Sequence, residues 1–182
     1  DRRQRQMCIR DSVYTTVNYF YENKGLKSFG IWGFSYGATT ALFSGLEFYN
    51  QTSNVELLGI FAESPYLDLL EFFTDQVAYR TPLNKNLANL LKPGTIFLTN
   101  LVFDFNFNSI KKTFGNKNEI SFPTVVVSCA NDEIVPASQS RKIVEILGPN
   151  ATYEEFNNCN SHGGTLNSDP ERYHKILENL FK

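Results

Sequence analysis

Short apolar runs of strand length alternate with amphipathic segments along the chain, and this alternation predicts its architecture. The predicted strands are 28–32, 56–62, 122–129 and, with a weaker pattern, 152–156. The predicted helices are 13–23, 36–48, 138–147 and 170–181. The strands at 56–62 and 122–129 are predominantly apolar, as expected for parallel strands buried on both faces. The order predicts a three-layer, doubly wound α/β domain with a mostly parallel sheet of about four strands.

The pattern changes between Tyr66 and Phe122, where Phe and Leu are denser than a solvated connection needs. Leu67, Leu70, Phe73 and Val77 predict one amphipathic helix, 84–91 a second, and 95–103 a third or a short extended piece. One interpretation is a helical cap of residues 66–122, inserted between two strands and lining an apolar pocket. The other is a set of ordinary core helices on one sheet face, and the pattern alone does not separate the two.

The first residues need a separate interpretation. Residues 2–11, together with Ser12, match the translation of a transposon-end sequencing adapter. We therefore exclude residues 1–12 from fold reasoning as a non-native segment. The alternative is a basic surface arm. Residues 13–182 are then a single, partial domain.

Composition narrows the classes of function. The chain has 182 residues, is 42% hydrophobic and carries a net charge of -2. It is long enough for one domain with a real core. It has no basic field for a nucleic-acid partner, and no apolar run approaches the length of a membrane span.

The stretch 31–38 predicts a strand that turns sharply into a helix, with Ser35 at the apex. Gly33 and Gly37 lie two residues on either side of this serine. G-x-S-x-G is the pattern of a nucleophile elbow, in which side chains at the glycines would collide as strand and helix pack together. The motif alone is short enough to occur by chance, and the flanking strand and helix give it weight.

Two further residues lie at predicted strand ends. Asp132 follows the Val-rich strand, and His162 precedes Gly163-Gly164 after the next strand. Singly, each has a simpler explanation, since Asn-Asp often forms turns and a histidine before Gly-Gly often lies in a loop. Jointly, Ser35, Asp132 and His162 follow the order of a hydrolase triad at the edge where functional side chains gather. His174, in the last helix, is expected at the surface.

Residues 13–182 resemble the C-terminal part of an α/β-hydrolase, in the serine-aminopeptidase-like and acyl-esterase branch. The resemblance rests on 31–38, on Glu63-Ser64-Pro65-Tyr66, on 132–136 and on Ser161-His162-Gly163. It implies Ser35 as nucleophile, His162 as base and Asp132 as the acid that orients the imidazole.

The resemblance also implies further features of the site. The Tyr36 backbone N–H would give half of an oxyanion hole, and Phe34 and Tyr36 would shape the pocket entrance, unless they only pack beneath the cap. The implied substrate is a small acyl ester, thioester or amide, or a peptide. No cofactor, no metal and no nucleic-acid partner are implied, and the oligomeric state stays open.

One departure from the family pattern bears on mechanism. Family domains carry strands before the elbow and a loop that gives the second oxyanion donor, and no such segment is present in these 182 residues. Losing one donor costs about 10²–10³ in rate, so we expect the chain alone to be weakly active or inactive. A non-catalytic binding protein of the same fold and a cofactor-free acyltransferase are the alternatives.

The three cysteines, Cys8, Cys129 and Cys159, have no zinc-site spacing. Cys129 and Cys159 follow neighbouring predicted strands, so a disulfide between them is conceivable. Reduced, buried thiols are the expectation.

Overall fold

Four parallel strands form one sheet in the order β1-β2-β3-β4. They are β1 (Ser28–Phe34), β2 (Glu56–Glu63), β3 (Thr124–Cys129) and β4 (Ala151–Phe156). The computed structural model describes residues 2–49, 54–67, 74, 76–78, 81–82, 84–103 and 120–182. The predicted α/β class, with about four parallel strands flanked by helices, is confirmed.

The register of the strands aligns their carboxyl ends. Phe34 is paired with Glu63, Glu63 with Val127, and Cys129 with Phe156. Because all four strands run in the same direction, the residues that follow them share one edge of the sheet. This edge is where Ser35, Asp132 and His162 lie.

Helices cover both faces of the sheet. They are α1 (Arg2–Lys24), α2 (Tyr36–Tyr49), α3 (Lys85–Phe103), α4 (Ala137–Leu147), α5 (Thr165–Ser168) and α6 (Pro170–Leu180). On one face, Ile60 and Val126 join a buried cluster with Leu42 of α2 and Ile143 of α4. On the other face, Phe61 and Val127 pack with the aromatic residues Phe156 and Tyr173. The alternation along β2 and β3 therefore fills two cores, one above and one below the sheet.

Two helices differ from their predicted bounds by more than one residue. Helix α1 begins at Arg2 rather than at residue 13, and α3 is one helix where the sequence predicts a break near Pro93. Arg and Gln are good helix formers, so the segment before residue 13 extends the helix at little cost. An interior proline removes one N–H donor and crowds the carbonyl four residues earlier, at a cost of about 3 kcal/mol, but its fixed φ is helical, and α3 continues past Pro93.

The region between β2 and β3 is described only in part. Most of the predicted helix at 67–77, including Leu70 and Phe73, lies outside the described residues, as does 104–119. Helix α3 exposes several apolar side chains, with Leu90 74% and Phe97 66% exposed. Among the described helices, none combines the length and apolar character needed to cross a membrane.

Candidate active site

Ser35 is the single residue between β1 and α2, and its backbone has a φ of 54°. A φ in this range is uncommon for a residue other than glycine. The Ser35 N–H donates to the Glu63 carbonyl at 2.8 Å, and the Ser35 carbonyl accepts from the Ala38 N–H at 3.0 Å. The sheet and the first turn of α2 thus hold the strained turn from both sides.

The two glycines beside Ser35 have different roles. A Cβ at Gly33 would lie 2.4 Å from the carbonyl oxygen of Gly37, whereas a Cβ at Gly37 would meet nothing within 4 Å. The collision predicted at Gly33 is confirmed. The one predicted at Gly37 is wrong, because Gly37 faces solvent on the outer side of the first turn of α2.

Asp132 lies in the loop after β3 with a fully buried carboxylate. Its Oδ1 accepts the backbone N–H groups of Ile134 and Val135, at 2.9 and 2.8 Å. Its Oδ2 lies 2.8 Å from Nδ1 of His162 and accepts the Ser64 hydroxyl at 2.9 Å. One oxygen therefore forms the local turn, while the other binds the histidine.

The environment of Asp132 favours its ionised form. Burial acts to raise the pKa of this carboxyl, but the hydrogen bonds with His162, Val135 and Ile134 outweigh it, so the pKa lies below its ordinary value. An ionised carboxylate accepts the Nδ1–H of the imidazole and leaves Nε2 available as a proton acceptor.

His162 lies in the loop after β4, with its side chain 12% exposed. The next residue, Gly163, has a φ of 75°, and a Cβ there would lie 2.8 Å from the ring of Phe34. Glycine is therefore needed at this position for both the backbone conformation and the close approach. The ring centroids of Phe34 and His162 are 4.7 Å apart.

The structure brings Asp132 and His162 into direct contact and places Ser35 at the same edge of the sheet. Phe34, which contacts the imidazole, is the residue immediately before Ser35. Tyr36 begins α2, is 44% exposed, and its ring centroid is 6.4 Å from that of Tyr66. The N–H groups of a first helical turn have no acceptor within the helix. His174 is exposed on α6, as predicted.

A disulfide joins Cys129, the last residue of β3, to Cys159 in the loop that carries His162. The expectation of reduced thiols is therefore wrong. The pairing of Cys129 with Phe156 brings the two loops side by side, and the Cα atoms of the cysteines are 4.9 Å apart, within disulfide range. The bond ties together the loops of Asp132 and His162.

Sequence reasoning assigned no role to Glu63 and Ser64, the residues at the end of β2. Ser64 is fully buried, has a φ of 49° and donates to Asp132. Glu63 is also buried; its carboxylate accepts the hydroxyls of Thr165 and Tyr173. The sequence held one signal for these residues: a glutamate followed by a serine at the end of an apolar strand. A charged side chain next to a buried strand seldom lies buried without polar partners, so this pair indicated a polar network.

The chain is similar in structure to several solved hydrolases. An esterase of Pyrococcus furiosus, Pf2001, matches with a TM-score of 0.64 and 20% identity, over 93% of this chain and 59% of that chain. A putative hydrolase of Agrobacterium vitis S4 matches with a TM-score of 0.63 and 13% identity, over 95% and 67%. An α/β fold family hydrolase of Bacillus anthracis matches with a TM-score of 0.60 and 13% identity, over 94% and 73%.

No protein-family model and no curated protein sequence matches the chain. Sequence identities this low establish the fold alone. The chain has the α/β-hydrolase fold, and it spans 59% of the length of the esterase chain that it resembles.

Proposed function

We propose that the protein is a serine hydrolase that cleaves an ester, thioester or amide through an acyl-enzyme intermediate. The observation that carries the proposal is the hydrogen bond of 2.8 Å between Asp132 and His162, at the edge of the sheet where the strained turn holds Ser35. The α/β-hydrolase fold supports it independently.

In the proposed reaction, Ser35 Oγ attacks the acyl carbon while His162 Nε2 accepts its proton. The imidazolium then returns the proton to the leaving alcohol, thiol or amine, and water attacks the acyl-enzyme with His162 again as base. Asp132 holds the imidazole tautomer and stabilises its charged form. The Tyr36 N–H donates to the oxyanion, because it lies at the start of α2, where the helix dipole favours negative charge.

Phe34 and Tyr36 are the proposed contacts for the acyl group. Phe34 is half-buried against His162, and Tyr36 is exposed beside Tyr66. Apolar surface on both sides of the serine suits a small, uncharged acyl chain better than a charged one.

Labelling by a fluorophosphonate tests the proposal, using the complete protein encoded by the native gene. We expect labelling of the wild type, its loss in Ser35→Ala, and its retention in Ser121→Ala. Ser121 is an exposed serine before β3, at the opposite edge of the sheet, and is therefore the matched control. A folded wild type that is not labelled would overturn the hydrolase proposal in favour of a binding protein.

A further inference from the structure

Glu63 makes three hydrogen bonds, and two of them link the turn that carries Ser35 to the loop that carries His162. Its backbone carbonyl accepts the N–H of Ser35 at 2.8 Å. Its Oε1 accepts the hydroxyl of Thr165, three residues after His162, and its Oε2 accepts the Tyr173 hydroxyl at 3.0 Å. Glu63 is 4% exposed and Thr165 is fully buried, so water does not compete for these bonds.

The loop of His162 needs such an anchor. Gly163 and Gly164 directly follow the histidine, and glycines have more backbone freedom than any other residue. Thr165 is the first residue after them and begins α5. Because the Glu63 carboxylate holds the Thr165 hydroxyl, it fixes the end of the His162 loop, where the two glycines would otherwise allow the backbone to move.

We propose that Glu63 is a positioning residue, which sets the distance between Ser35 and His162 by holding the turn through its carbonyl and the histidine loop through Thr165. This inference rests on the proposed function. Glu63 does not touch the substrate; it acts through Thr165 on the imidazole.

The Glu63 carboxylate has two hydrogen-bonding branches: Oε1 accepts the hydroxyl of Thr165, and Oε2 accepts that of Tyr173. Tyr173 lies on α6, and its hydroxyl accepts the Trp32 indole N–H at 2.9 Å while donating to Glu63. Burial raises the pKa of Tyr173 above its ordinary value; the hydrogen bond from Trp32 acts in the opposite direction, and the charge of Glu63 and the hydrogen bond to it reinforce the rise. This branch anchors α6 to the sheet and does not lead to the histidine loop.

The two branches give a matched test in the complete protein. Thr165→Val removes the hydroxyl at nearly constant volume, Thr165→Ser keeps it, and Tyr173→Phe removes the hydroxyl of the other branch. We expect Thr165→Val to lower kcat at least tenfold with KM within twofold of the wild type. Thr165→Ser should restore kcat to within threefold, and Tyr173→Phe should lower the melting temperature with kcat within twofold.

Wild-type kcat in Thr165→Val, or an equal loss of kcat in Thr165→Ser or Tyr173→Phe, would overturn the proposal. If Thr165→Val does not fold, Glu63→Asp replaces it, because the shorter side chain withdraws the carboxylate from the Thr165 hydroxyl. The same fall in kcat at unchanged KM is then expected, and wild-type kcat would overturn the proposal.

Proton NMR separates this proposal from the proposed function. We expect the imidazole N–H of His162 that bonds Asp132 to give a low-field resonance, which should shift or broaden in Thr165→Val and be unchanged in Tyr173→Phe. This measurement needs no turnover. A wild type without activity would contradict the hydrolase proposal, whereas an unchanged resonance in Thr165→Val would contradict the role of Glu63.

Discussion

Two carboxylates are buried at the same edge of the sheet, and their partners differ in kind. Asp132, in the loop after β3, accepts two backbone N–H groups, a serine hydroxyl and an imidazole. Glu63, at the end of β2, accepts two hydroxyls. Several N–H donors around one carboxylate stabilise its negative charge, which suits Asp132 to face an imidazole that becomes cationic. The hydroxyls around Glu63 instead join three elements of the fold.

The comparison shows that burial alone does not assign a role to a carboxylate. Asp132 contacts the histidine directly, whereas Glu63 reaches it only through the hydroxyl of Thr165. The effects of substitutions at Asp132 and Glu63 on kcat should therefore differ in size.

The largest effect is expected at Asp132. Asp132→Asn keeps the shape but allows the wrong imidazole tautomer, and we expect kcat to fall by about 10⁴ in the complete protein. Glu63→Gln keeps one oxygen acceptor and should lower kcat far less. The measurement is steady-state hydrolysis of an activated acyl ester, and equal losses in the two variants would remove the distinction between them.

The disulfide provides the second test, because it joins the loops of Asp132 and His162 and leaves Glu63 untouched. Replacing both Cys129 and Cys159 by alanine should lower the free energy of unfolding by about 3–4 kcal/mol, from the chain entropy of their 30-residue separation. Dithiothreitol should lower the melting temperature of the wild type and leave the double variant unchanged. A wild type that melts at the same temperature with and without dithiothreitol would contradict this.

Ser64 is adjacent to Glu63 in sequence, but its hydroxyl donates a hydrogen bond to Asp132. Ser64→Ala removes a hydrogen bond to a buried charge, and we expect a loss of about 1.5–3 kcal/mol in stability together with a lower kcat. Ser128→Ala is the control, since Ser128 is equally buried and its hydroxyl oxygen lies 2.7 Å from that of Tyr153. A control variant that loses as much kcat as Ser64→Ala would show that the effect is not transmitted through Asp132.

The smallest effect concerns pH. The folded-state pKa of Asp132 lies below its unfolded value, about 3.9. Its contribution to stability is therefore fully present above the unfolded pKa and is lost as pH falls through the folded pKa. Urea unfolding of wild type and Asp132→Asn should show a difference that shrinks as the pH falls below about 4. A difference that is constant across this range would contradict the lowered pKa.

Much of the arrangement at the carboxyl edge of the sheet was predictable, because the carboxyl ends of parallel strands lie at the same edge. The Val-rich run predicted β3, and the position of Asp132 just beyond it predicted a side chain at the carboxyl edge. The contact of Asp132 with His162 followed from the same topology. Asp132 forms a turn and also contacts the histidine, since Oδ1 accepts the Ile134 N–H and Oδ2 lies 2.8 Å from His162 Nδ1.

Other features depended on contacts between distant residues. One partner of the Glu63 carboxylate is Thr165, which is 102 positions away in sequence, and no local pattern encodes that separation. The two glycines beside Ser35 are alike in the motif, but only Gly33 faces the backbone of α2. The break predicted in α3 near Pro93 was wrong because proline weakens a helix without forbidding it.

The sequence by itself determined the alternation of strands and helices, the strained turn at Ser35, and the placement of Asp132 and His162 at one edge. These follow from local apolar runs and from the direction of parallel strands. The tertiary structure alone decided that Cys129 is bonded to Cys159, that Ser64 holds Asp132, and that Glu63 joins the Ser35 turn to the histidine loop. The physical reason is that a buried polar group must find partners in space, and packing, not sequence position, determines which partners are near.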